Sequence, residues 1–169
     1  MLLISQNLMN YGMDFPDEVV LRVNMAWVDD LEKFRETLDK YNYNFFIDFP
    51  SGRIKPPNNR YTMDQLIPIF RSYSNIKYLA ISNVESPENI LEYRNLIGKN
   101  PKIVPKIETV KGINNISKIC NQLTAKDYIM LDHDDLFTDV IKRGLSTNDF
   151  LNLVNTLVSF CESSNFNLL

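Results

Sequence analysis

Lys106 and Glu108 lie two residues apart in the apolar run KIVPKIET, residues 102–109. A strand sends alternate side chains to one face, so both charges would leave the backbone on the same side. Burying them is costly unless they are paired, hydrated or bound to something. A second apolar run, residues 127–132, ends in Asp132 and is followed by His133, Asp134 and Asp135. Two carboxylates such as Glu108 and Asp135, completed by waters and the oxygens of a bound 2-oxo acid, suit Mg²⁺ or Mn²⁺, hard cations that rarely take an all-protein cage. Lys106 would then stabilise negative charge developing on the substrate, as a positioned cation does for an enolate.

These residues need a scaffold that brings strand ends together. Predicted strands cover Leu2–Ser5, Val19–Met25, Asn44–Phe49, Ile76–Ser82, Lys102–Glu108 and Asp127–Asp132, each short, apolar and bounded by polar or turn residues. Most are continuous apolar runs, as expected of strands buried on both faces of a parallel sheet. Their C-terminal ends carry Arg22 and Asn24, Asp48, Ser82, Lys106 and Glu108, and then Asp132 to Asp135. In a (β/α) barrel those ends build the site.

Segments of helical periodicity separate the strands. Leu31, Phe34, Leu38 and Tyr41 mark the first, and Leu66, Ile69 and Phe70 the second, with Thr62 and Gln65 spaced as a capping box. Ser86-Pro87 starts a third. A fourth carries Ile113, Ile116, Ile119, Cys120 and Leu123, and a fifth runs from Phe150 to Cys161 behind Ser146 and Thr147. This alternation predicts a parallel α/β sheet, doubly wound or a barrel. Neither a repeat nor a long linker divides the chain, so residues 1–169 are expected to form one domain.

The length fits one domain of roughly 100–200 residues. With 44% hydrophobic and 23% charged residues the chain has globular composition. Eighteen basic and 21 acidic residues, net charge −3, form no block of like charge, which argues against nucleic-acid and membrane-surface partners. Cys120 and Cys161 lie far apart, and neither a signal peptide nor an apolar span of ~20 residues is evident, so a cytoplasmic protein is expected.

Residues 79–136, from LAISNVESPENI through VPKIETVKGINNI to MLDHDDL, resemble the pyruvate kinase barrel, which passes through a V-S-F strand end, a K-I-E-N strand and an R-G-D-L loop. Upstream, LRVNMAW resembles that family's R-L-N-F-S-H, and FFIDFPSGRIK its L-D-T-K-G-P-E-I-R; the ordered segments cover about residues 19–137. The resemblance implies a TIM-barrel-like α/β fold binding phosphoenolpyruvate, pyruvate or a related 2-oxo acid. It makes Lys106 the catalytic lysine and Glu108 and Asp135 the divalent-metal ligands. Arg22 matches the arginine beside the transferred phosphoryl group, and Asn24 and Asp48 match two monovalent-cation ligands. Ser82, Arg53, Lys55 and His133 become candidate substrate contacts.

The departures from the family pattern are specific. Ala26 and Phe49 stand where the family's K⁺ site uses serine and threonine, so a K⁺ requirement is doubtful. Lys55 replaces an arginine and keeps charge without the planar fork that grips phosphate. Asp134 replaces the loop glycine with a carboxylate that would repel phosphate. After SGRIKPP the family inserts a lid domain, whereas NNRYTMDQL follows here at once. About six strands cannot close an eight-stranded barrel, so the fold is expected to be incomplete, with homo-oligomer contacts or the N-terminal segment covering sheet edges, or the chain to be part of a longer one. Two alternatives stand beside the kinase-like reading: a citrate-lyase or HpcH-type carbon–carbon lyase, which needs no nucleotide lid, and a noncatalytic interaction protein built on a barrel remnant.

Overall fold

The computed structural model describes residues 2–5, 13–51 and 59–169. Seven parallel strands with intervening helices form an incomplete α/β barrel-like fold, the strands ordered as in the chain. Strands β1 (Leu2–Ser5), β2 (Val19–Asn24), β3 (Asn44–Phe49), β4 (Ile76–Ile81), β5 (Lys102–Ile107) and β6 (Tyr128–Leu131) coincide with the six predicted runs within a residue at each end. The seventh, β7 (Asn167–Leu168), is two residues long and too short to leave a pattern in the sequence; its pairing with β6 makes it a strand.

The chain divides into two compact units, Met1–Ala80 with Leu96–Ile103 and Ile81–Asn95 with Val104–Leu169. In the first, β2 is paired on both sides, Leu21 opposite Ile4 and Phe45, and Asn24 opposite Asp48. Helices α1 (Leu31–Lys40) and α2 (Met63–Ser72) bury Phe34 and Leu38, and Leu66 and Ile69. Asp30 caps α1 by accepting from the Glu32 N–H, and Gln65 closes the start of α2 by accepting from the Thr62 N–H at 2.9 Å. Each bond satisfies an amide that the helix geometry leaves without an internal acceptor.

In the second unit β6 lies between β5 and β7, Met130 opposite Lys106 and Ile129 opposite Leu168. Helix α3 (Pro87–Ile97) begins at the predicted proline. The predicted fourth helix is two short ones, α4 (Val110–Asn114) and α5 (Ile116–Cys120), broken at Asn115, whose side-chain amide donates to the Glu85 carbonyl at 2.9 Å. That long-range bond holds Asn115 off the helical path. The predicted fifth helix is α7 (Thr147–Ser163), with Ser146 and Asp149 exchanging a capping box.

One helix is missing from the expected set although Leu136, Phe137, Val140 and Ile141 have helical spacing. Residues His133–Lys142 form α6, where the sequence pattern leads one to expect a loop after β6. Its end signals are all present in the chain: Asp132 as cap, Asp134 and Asp135 in the first turn, Leu136 and Val140 buried four apart, Lys142 in the last turn and Gly144 at φ +73° just beyond. The consequence is functional, because the acidic cluster sits on a helix start rather than a loose loop.

Candidate functional site

β5 and the start of α6 assemble the site within the second unit. Lys106 and Glu108, each only 2% exposed, are buried charged residues. The strand alternation places them on one side, and the Lys106 ammonium lies 2.7 Å from Glu108 Oε1. Lys106 Nζ also lies 3.3 Å from Asp132 Oδ2. Asp132 serves the helix as well, since its other oxygen accepts from the Asp135 N–H at 3.4 Å and so caps α6.

Glu108 Oε2 accepts a short hydrogen bond, 2.6 Å, from the main-chain N–H of Asn83. Burial pushes the Glu108 carboxyl above its ordinary pKa; the Lys106 charge and the Asn83 N–H pull it back, and Asp132 adds to the rise. Burial prevails because removing a carboxylate from water penalises only its charged form. Glu108, Asp132 and Asp135 can each offer an oxygen such that all three lie within 4.8 Å of one another. An all-oxygen, carboxylate-rich donor set of that size fits a hard divalent cation and not a soft one.

Of the predicted residues, Lys106, Glu108 and Asp135 are thus brought together. Asp132, marked in the sequence only as one of four residues at a strand end, joins them as partner of Lys106. Asn83 has no side-chain chemistry to mark it; the signal is its residue type, since asparagine tolerates the left-handed backbone it adopts, φ +53°. Ser82 is buried, its hydroxyl without a hydrogen-bond partner among the described residues. His133 opens α6 with its side chain largely exposed, Nε2 3.2 Å from Asp134 Oδ1.

Arg22, Asn24 and Asp48 belong to the first unit. Arg22 on β2 donates from its guanidinium to Asp48 on β3, and Asp48 is fully buried while the Arg22 side chain is 30% exposed. Asn24 Oδ1 accepts from the Ala26 N–H at 3.0 Å and so caps a single 3₁₀ turn, Met25–Trp27. The chain's own donors therefore already engage the side chains that the family resemblance makes monovalent-cation ligands. Arg53 and Lys55 lie outside the described residues. Among the described residues no helix is long and apolar enough to cross a membrane.

No family model matches the chain. Over 76 residues it is 30% identical to pyruvate kinase of Clostridium perfringens (strain 13 / Type A), a stretch that is 43% of this chain and 15% of that protein. Among solved structures, RipC from Yersinia pestis matches with a TM-score of 0.64 at 15% identity, covering 99% of this chain and 72% of that one. The second likeness is one of fold.

Proposed function

We propose that the protein binds a divalent cation together with phosphoenolpyruvate, pyruvate or a related 2-oxo acid, and stabilises the enolate form of that ligand. The observation that carries this reading is the buried Lys106 ammonium set against Glu108 and Asp132, with Asp135 in the same cluster. Two carboxylates against one ammonium, with the part-exposed Asp135 in the same cluster, leave an excess of negative charge beside a buried group, a setting in which a cation is attracted. The sequence similarity to a pyruvate kinase supports the choice of ligand class.

Glu108, Asp132 and Asp135 would hold Mg²⁺ or Mn²⁺, which when bound supplies Lewis-acid polarisation of a carbonyl oxygen. Lys106 holds a positive charge where the ligand's oxygen gains electron density. Set against Glu108 and Asp132, it acts in this reading as a fixed charge. Asp132 orients Lys106 and the start of α6 together. The proposal stops at binding and enolate stabilisation, because the similarity spans 15% of the kinase, and phosphoryl transfer needs further parts.

Calorimetric titration with Mn²⁺, then with pyruvate, oxalate or phosphoenolpyruvate, tests the reading beside Glu108→Gln and Asp135→Asn. Metal-dependent ligand binding in the wild type that both substitutions abolish is the expected result. A folded wild-type protein that binds none of these probes defeats it.

A further inference from the structure

The segment that follows β4 carries no side chain in the acidic cluster, yet it is fastened to β5 and α4 at several separate points. The Val84 N–H donates to the Lys106 carbonyl at 3.2 Å, and the Asn83 N–H donates to Glu108 Oε2 at 2.6 Å. Glu85 accepts from the Thr109 hydroxyl and from the Lys111 ammonium, both at 2.9 Å, while the Asn115 amide donates to its carbonyl. The Lys111 bond, with further help from Thr109, holds the Glu85 carboxyl below its ordinary pKa. Asn89 Oδ1 accepts from the Glu85 and Ser86 N–H groups.

Gly112 fixes how close this segment comes. A methyl group at position 112 would stand 2.8 Å from the Val84 carbonyl oxygen, a main-chain atom that cannot swing aside as a side-chain end can. Any residue but glycine therefore drives the 83–85 backbone away from α4. A displacement of a few tenths of an ångström matters little to the core but much to a 2.6 Å charge-assisted hydrogen bond, whose strength falls steeply with distance and angle.

We infer that residues 83–85, seated on Gly112 and pinned by Glu85, are a positioning device for Glu108: the main-chain N–H of Asn83 orients its carboxylate and Gly112 sets the reach of that N–H. Asn83, Glu85 and Gly112 are positioning residues, since each acts through Glu108 and not on a ligand. The inference rests on the reading of Glu108 as the working carboxylate. Outer partners that orient a ligating group commonly change metal affinity about 10–100-fold when altered, and Gly112→Ala is expected to weaken Mn²⁺ binding by about tenfold.

The deciding readout is the Asn83 amide in ¹H–¹⁵N spectra of the whole chain. In the wild type its proton should resonate far downfield and exchange slowly with solvent, and Glu108→Gln should move it upfield. Gly112→Ala should move it in the same direction although the two positions are far apart in sequence, at temperatures well below unfolding, where a purely structural role leaves it unmoved. Glu85→Gln, which keeps the residue's shape and removes the charge holding Lys111, should shift it less, and it carries the test if Gly112→Ala does not fold. An Asn83 amide indifferent to Glu108→Gln, or to both Gly112→Ala and Glu85→Gln, overturns the inference. A wild type that binds no Mn²⁺ defeats the metal reading instead, while the amide comparison still decides the positioning.

Discussion

Two charged groupings at strand ends, one in each unit, differ in how much of the charge is withdrawn from water. Arg22 and Asp48 join neighbouring strands, and the guanidinium side chain keeps 30% of its surface in solvent. Lys106 and Glu108 lie on a single stretch of chain, both almost wholly buried, and Asp132 and Asp135 add further negative charge. A partly hydrated cation tolerates the loss of its partner because water takes over; a buried one does not. Burial of both members, together with unequal numbers of acids and bases, is what separates a candidate binding site from a structural ion pair.

The largest effect that would expose this difference is the removal of the buried cation. Lys106→Met leaves Glu108 buried without its counter-ion and is expected to cost about 3–5 kcal/mol of stability in urea unfolding. The double variant Lys106→Met/Glu108→Leu should recover part of that loss, because the fully buried carboxylate is gone and the remaining Asp132 keeps some contact with water; a double variant no more stable than the single one breaks the argument. In the other unit, Asp48→Asn leaves the part-exposed Arg22, which water can serve, and should cost less, about 1–3 kcal/mol. Equal losses for Lys106→Met and Asp48→Asn would erase the contrast.

pH sharpens it further. The Glu108 carboxyl titrates above its ordinary value of 4.5 in the folded protein. Between the unfolded and folded values the native state holds the proton and the unfolded state does not, so this group's contribution is greatest in acid and fades as pH rises through the folded pKa. Without metal, wild-type stability should therefore fall relative to Glu108→Gln as pH increases from about 4.5 toward neutrality. A rising difference would contradict the stated cause. The smallest effect is expected on the surface: Arg143→Met breaks the 2.8 Å contact with Asp139 one helical turn away, and should leave the urea unfolding midpoint almost unchanged.

The same contrast separates what is legible in the chain from what is not. The Lys106-x-Glu108 spacing by itself puts both charges on one side of a strand, and the positions of β1 to β6 follow from apolar runs whose period is local. α6 is also written locally, in its cap, acidic first turn, terminal glycine and the apolar residues Leu136, Phe137, Val140 and Ile141 at helical spacing; the charged run at its start reads as a strand-end loop and hides it. β7 leaves no such trace.

Length, composition and alternation thus determined an α/β chain with charged strand ends, since each of those depends on neighbours within a few residues. The meeting of Lys106 with Asp132, of Asn83 with Glu108 and of Gly112 with Val84 was decided only by the tertiary structure. Each contact joins residues distant in the chain, and two of the three depend on main-chain atoms or on the absence of a side chain. A residue pattern records which side chains are present; it does not record where a backbone N–H will point or how closely two segments will pack.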